Sequence, residues 1–257
     1  MMFRRRRNVA ILVVLGAVPV IIGIAVKATG SRGNGGGVFG SITDNGVFLA
    51  FAGLVAVIPL FLPMAVAVVA GESVAGEAST GTLRYLLAVP VSRGRLLAVK
   101  FASIAIWCVT GPLLVGVVGI ITGLALFPHG TLTLLSGTQA SLVSGLGRLV
   151  LAVAYTALMM LVVGTIGLFV STLTEVPIAA MASALAVAIV SEVLVAIPQL
   201  HALAPWLFSH YWLSFGDFLR APIRWDQVQH GGLLAVAYVV VFGLAAWARF
   251  GDKDISS

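Results

Sequence analysis

Six stretches of this chain are too apolar to face water, and each is about as long as a bilayer is thick: roughly 10–26, 47–70, 101–127, 149–171, 178–198 and 232–249. A membrane-spanning helix needs about 20 consecutive apolar residues at about 1.5 Å of rise each. That feature constrains the fold before any motif does. Hydrocarbon offers no water to the backbone, so only helices or closed barrels satisfy every N–H and C=O. Barrel strands would show short alternating segments, whereas these runs are solidly apolar on every face. The expectation is an all-α polytopic membrane protein with six transmembrane helices, forming one transmembrane domain over residues 1–257. Composition agrees. Hydrophobic residues make up 60% of the chain and charged residues 9%, against about 25% charged in a soluble domain. Mean hydropathy is +1.11.

The formal charge of +6 raises nucleic acid as a partner, and its placement argues against that class. Arg4 to Arg7 precede the first span, Arg84, Arg93, Arg95 and Lys100 lie between the second and third, and Arg249 and Lys253 follow the last. With the N-terminus inside, these ten cytoplasmic basic residues face five outside: Lys27, Arg32, Arg148, Arg220 and Arg224. This bias fits the positive-inside rule with both termini cytoplasmic in the cell membrane. It explains the basic balance without nucleic acid. The basic start and apolar run also resemble a secretory signal. The apolar run is long for that and lacks a clean small-residue cleavage site near Ala25 to Thr29, so an uncleaved first span is expected. The single Cys108 falls inside the third span, so no disulfide can form within the chain.

The connections differ in character. Residues 31–37 read as a flexible Gly-rich linker, with no Lys-Ser or Lys-Thr to close a phosphate loop. Residues 128–147 are polar and small. Residues 199–231 crowd Trp206, Phe208, Tyr211, Trp212, Phe215, Phe218 and Trp225 beside Asp217, Arg220 and Asp226. Two readings stand for that external segment: short helices lying in or dipping back into the membrane interface, where amphipathic aromatics settle, or an ordinary structured loop. Pro19, Pro59, Pro63 and Pro112 inside the spans predict kinks. Gly164, Gly167, Ala180 and Ala184 offer close helix approach.

The functional signal lies in the connection 71–100. Glu72 and Glu77 sit where the second span should leave the membrane. Gly81 breaks the chain and Thr82 can cap a helix. Leu83, Leu86 and Leu87 then share one face at i, i+3, i+4 spacing. Pro90 stops that helix, and Ser92 can cap the next one, which runs into the third span. The expected product is a short amphipathic helix over 82–89, parallel to the membrane on the cytoplasmic side. Its leucines suit lipid or the groove of a soluble partner.

The run Gly76-Glu77, Gly81-Thr82-Leu83, Pro90-Val91-Ser92-Arg93 and Lys100 resembles the loop of the type-two (exporter) class of ABC-transporter permeases over about 25 residues. It departs from that pattern at Ala78, where a basic residue is common. The resemblance implies a half-transporter that pairs with an identical or similar permease subunit and sits on two ATP-binding subunits. The 77–93 loop would then be the coupling helix. Glu77, Gly81, Thr82, Leu83, Leu86, Leu87, Pro90, Ser92 and Arg93 would carry the coupling to the ATPase. The chain itself would perform no covalent chemistry, ATP and Mg being held by the partner subunits. In keeping with this, none of Lys27, Lys100 and Lys253 completes a Walker phosphate loop.

Glu192 is the acid that falls at membrane depth, where an ionisable group costs about 2.5–3.5 kcal/mol at a helix centre. It reads as a substrate-pathway contact or as a hydrogen-bonded packing residue. It also defines the alternative function, an ion- or proton-coupled secondary transporter, with a non-transporting scaffold as a third reading. Leu135-Ser136-Gly137-Thr138-Gln139 looks like an ABC ATPase motif, but it sits outside in this topology and is read as coincidence. His129, His201, His210 and His230 show no metal-ligand spacing, so no metal is expected.

Overall fold

The computed structural model describes residues 6–29, 40–43, 45–79, 92–128 and 132–251. Among these residues there are seven α-helices, in chain order: α1 (Arg6–Thr29), α2 (Phe48–Val57), α3 (Phe61–Ser79), α4 (Arg93–Leu126), α5 (Leu142–Leu173), α6 (Pro177–Ala196) and α7 (Asp226–Gly251). A small hairpin, β1 (Leu132–Thr133) and β2 (Gln139–Ala140), joins α4 to α5, with Leu132 opposite Ala140. Six of the helices, all but α2, are long and apolar enough to cross a membrane. The chain is therefore an all-α polytopic membrane protein, its two-residue strands aside.

The second expected span, 47–70, is instead two helices. Turn residues 58–60 separate α2 from α3, because Pro59 has no N–H for the ladder and disfavours helical geometry just before it. Pro63 is tolerated in the first turn of α3, where the amide would have no partner anyway. The other helices, α6 apart, overrun at least one of their expected bounds. α3 reaches Ser79 and α4 begins at Arg93, so the described helices take up much of the 71–100 connection. α5 begins at Leu142, carrying Ser144 and Arg148 into its first two turns. α6 ends at Ala196, just before Pro198.

Contacts group the chain into two units, each with its own packing. One comprises Met1–Leu62, Val109–Ala157 and Tyr211–His230. Its centre is α2, on which Phe48, Leu49, Phe51, Leu54 and Val57 are fully buried. Gly46, just before α2, lies backbone to backbone against Gly123 of α4, and a Cβ on either would collide with the other's carbonyl. The hairpin turn needs Gly137, whose φ of 79° is left-handed. Leu134 N–H donates to Thr138 O and Gly137 N–H to Leu134 O, both at 2.8 Å. The Leu135–Gln139 stretch is thus a tight turn, which accounts for its glycine without any nucleotide.

The chain from Tyr211 to Pro222 is stitched onto that hairpin and onto α5. Arg148 donates to the carbonyls of Phe218 and of Arg220, the latter at 2.8 Å. Leu135 N–H donates to Leu219 O at 3.0 Å, and Ala221 N–H donates to Ser136 Oγ at 3.1 Å. Tyr155 donates its hydroxyl to Tyr211 O at 3.0 Å and meets Phe218 edge-on.

The other unit comprises Pro63–Cys108, Leu158–His210 and Gly231–Ser257. Here α6 turns a small-residue stripe inward, burying Ala180, Ala184, Ala188 and Ser191. Gly71 of α3 lies so close to α6 that a Cβ there would stand 2.6 Å from Met181 N. Ser171 of α5 reaches the backbone of α3. It donates to Gly71 O at 2.8 Å and accepts from Val74 N–H and Ala75 N–H. A hydroxyl inserted this way is one of the few causes of helix bending. Outward, α7 shows Leu233, Val236, Val240, Val241, Leu244 and Trp247, apolar groups that suit hydrocarbon.

Residues 198–219 run through four 3₁₀ helices, Pro198–Leu200, Ala204–Trp206, Phe208–Tyr211 and Ser214–Leu219. Five of their aromatic side chains are protein core: Phe208, Tyr211, Trp212, Phe215 and Phe218 are buried, while Trp206 and Trp225 are exposed. The segment is thus made of short helices, and most of its aromatic rings are buried against protein.

Candidate functional site

The expected coupling residues fall on either side of a segment, 80–91, that lies outside the described residues. Gly81, Thr82, Leu83, Leu86, Leu87 and Pro90 belong to it, so the structure describes the roots of this loop. On the α3 side, Glu77 occupies the last turn. On the α4 side, Ser92 is the helix cap: its carbonyl accepts from Leu96 N–H at 3.2 Å, and its Oγ from Arg95 N–H at 3.4 Å. That capping is what the Pro-Val-Ser-Arg run was expected to do.

The two roots are tied together. Lys100 Nζ, two turns into α4, donates to Glu77 Oε1. Sequence reasoning placed Lys100 in the matched pattern without giving it a partner, and treated Glu77 as lacking its customary cation at Ala78. The structure supplies that cation from 23 positions along the chain. The side chains are 19% (Lys100) and 27% (Glu77) exposed, so the pair is only partly shielded. Water partly screens it, so its net contribution is of the order of a surface pair's, about 1 kcal/mol. Behind it, the Gly71–Met181 approach and the Ser171 bonds fix α3 to α6 and α5, so a displacement of Glu77 meets a rigid backing.

A second tie sits beside the first. Arg93 donates through Nη1 to Gly251 O at 2.7 Å, joining the first residue of α4 to the last of α7. A cation on a helix C-terminal carbonyl also complements the helix dipole. Arg93 was expected at the site; its acceptor, a backbone carbonyl, has no sequence signature.

Glu192 lies on α6, half-buried, next to a buried hydroxyl pair in which Ser191 Oγ and Ser209 Oγ are 2.7 Å apart. The structure does not bring it together with the Glu77 cluster. Trp107 and Cys108 are buried helix contacts. His210 is half-buried in the 208–211 turn, and burial together with neighbouring His201 pushes its pKa below the ordinary histidine value. Among the described residues no group of three or more His, Cys, Asp or Glu side chains is placed to hold a metal ion.

Residues 34–256 match the family model described as protein of unknown function (DUF2705). The chain belongs to this family. No curated protein matches it. The DUF2705 match takes in the 80–91 segment, both its roots and five of the six span-length helices completely.

Proposed function

We propose that this DUF2705 chain is the membrane-spanning permease subunit of an ATP-driven exporter. It works as a dimer with a second permease and is driven by two separate ATP-binding subunits docked on the 77–93 loop. The observation that carries this reading is the run of Gly76, Glu77, Gly81, Thr82, Leu83, Pro90, Val91, Ser92, Arg93 and Lys100, whose spacing resembles that of type-two ABC permeases. The Glu77–Lys100 pair supports it physically. A segment driven by a partner transmits motion only if its roots are joined to the helices that must move. Here one ion pair joins the root in α3 to the root in α4.

In this mechanism ATP closes the partner ATPase dimer, and the groove between its domains moves the 82–89 helix. α3 and α4 carry that displacement into the bundle, exchanging an inward-open cleft between subunits for an outward-open one. The work comes from the differential affinity of the ATPase for the two arrangements. Both termini and the 77–93 loop are cytoplasmic in this scheme, in line with the basic-residue bias.

Co-purification from the native membrane tests it. The wild-type chain is expected to retain an ATPase subunit, and replacing Leu83, Leu86 and Leu87 together by Asp is expected to release it. Transport by the purified chain alone, driven by an ion gradient and abolished by Glu192→Gln, would instead establish the secondary-transporter alternative.

A further inference from the structure

Two buried hydroxyls of α5 turn back on their own helix: Thr165 donates to Leu161 O at 2.7 Å and Thr172 to Phe169 O at 2.6 Å. Ser171 does not. It donates to Gly71 O at 2.8 Å and accepts from Val74 N–H at 3.1 Å and Ala75 N–H at 2.9 Å, all on α3. A hydroxyl has one proton and two lone pairs to give, and here every one is committed to a neighbouring helix. Ser73 adds a further bond, donating to Ala70 O at 2.6 Å.

These backbone groups belong together. An α-helix pairs residue 74 with residue 70 and residue 75 with residue 71. The two serines therefore address both halves of two consecutive rungs of α3. If those rungs open, each group released already has a partner. A rung opened elsewhere in a buried helix strands an N–H and a C=O at the full desolvation penalty of each.

Packing differs on the two sides of these rungs. Up to Gly71 the helix is locked: a Cβ on Gly71 would stand 2.6 Å from Met181 N, and one on Gly167 would stand 2.7 Å from Ala70 Cβ. Val74 and Ala75 are still buried, whereas Gly76, Glu77 and Ala78 are half-buried and Ser79 is exposed. Lys100 holds this tip through Glu77.

We propose that the Gly71–Ala75 rungs are a pivot, about which the last turn of α3 swings with Glu77 while the helix before Gly71 stays against α5 and α6. Ser171 removes the penalty for bending, and the Glu77–Lys100 pair is the catch that holds the tip. Helices bend where a side chain enters the ladder, and hinges sit at a few residues near the end of an element. Nothing in the pivot requires an ATPase or transport, so it fails or stands apart from the exporter reading. Within that reading, it turns a push on the 77–93 loop into a tilt of the tip. A serine that only clamps α3 to α5 predicts the opposite behaviour. Losing a clamp loosens the tip, and losing a pivot stiffens it.

Spin-label distances in the purified full chain decide between these. One nitroxide goes on Ser79→Cys and the other on Ile178→Cys or Leu244→Cys, exposed references in two directions. Cys108, which is buried, is changed to Ala so that it takes no label. With Lys100 in place each pair should give one narrow distance. Lys100→Gln should widen at least one distribution by about 3 Å, the shift that a bend of about 20° gives a label one turn past the pivot. Adding Ser171→Ala should restore the narrow width. Widening that survives Ser171→Ala, or that Ser171→Ala produces by itself, would overturn the proposal, and so would an unchanged width in Lys100→Gln. Residue-resolved amide exchange gives a second reading with Ser171 intact. In Lys100→Gln, exchange over 77–79 should rise roughly fivefold, the factor a partly exposed ion pair contributes. Val74 and Ala75 should stay within about twofold of wild type, because their amides remain on the hydroxyl. An equal rise at Val74 and Ala75 would mean that α3 unravels from its end, and no pivot would remain.

Discussion

The two ends of α4 are held by different physics. Toward Leu126, Gly123 meets Gly46 backbone to backbone, and Gly46 N–H donates to Pro128 O at 3.0 Å. Toward Arg93, the fixings are charged side chains: Lys100 on Glu77, and Arg93 on the Gly251 carbonyl. Backbone in contact with backbone has no rotamer to change, so it tolerates one geometry. An ion pair at a partly exposed site can open and close for about a kilocalorie per mole. One end is built to stay as it is, and the other can be worked. Substitutions at each end test that contrast, and two further tests probe the chain away from α4.

The largest effect belongs to Gly123→Val. Its side chain would occupy the volume of the Gly46 carbonyl, and neither backbone can step aside without moving a helix. The expected cost is about 4 kcal/mol or more, at the top of the range for single substitutions. Loss of monodisperse protein in detergent is the readout. A Gly123→Val protein that melts like wild type would mean that this end is not locked through its backbone.

Next comes Arg148→Ala, expected to cost about 2–3 kcal/mol, because the carbonyls of Phe218 and Arg220 lose a charged donor. Limited proteolysis should speed up within 211–225, while ATPase co-purification stays at the wild-type level. Lost co-purification would show that ATPase retention depends on the 211–222 segment as well as on the loop roots.

Glu77→Gln should cost only about 1 kcal/mol in melting experiments, discounted because the pair is partly exposed. Its effect on ATPase retention or ATP-driven transport should be far greater than on melting. Glu77→Lys combined with Lys100→Glu restores the pair and should recover most of what each single change loses. A double-mutant cycle with Gln at both positions should give a coupling of about 0.5–1.5 kcal/mol. Strictly additive effects would show that the two side chains act separately.

The same contrast explains how much could be read without coordinates. Hydropathy found the six span-length helices because it measures what lipid accepts. It drew most of them too short because it does not measure helix. Glu72 and Glu77 continue α3, and Ser144 and Arg148 open α5, although each interrupts an apolar run. The break after α2 was legible as a kink from Pro59, since a missing N–H acts locally. Glu77 and Arg93 were singled out by the resemblance alone, and the Ser92 cap was legible from the residues. What Arg93, Arg148 and Ser171 bind was not, because their acceptors and donors are backbone groups, which every residue has. The Lys100–Glu77 pair was hidden for a related reason, its two halves lying on different helices across the 80–91 segment.

The smallest effect is one of pH, and it comes from neither end of α4. Burial first, and the charge of neighbouring His201 second, hold the pKa of His210 below the ordinary value of about 6.5. As pH falls through about 6.5, the unfolded chain takes up this proton before the folded one does, so the folded state loses ground. The contribution is whole above that pH and declines below it, levelling once the folded protein also protonates. Melting curves from about pH 7.5 to 5 should therefore fall more for wild type than for His210→Gln. His201→Gln should recover only the smaller share, since it removes the repulsion and leaves the burial. If His201→Gln flattens the curve as fully as His210→Gln does, repulsion between the two rings outweighs burial in the 208–211 turn.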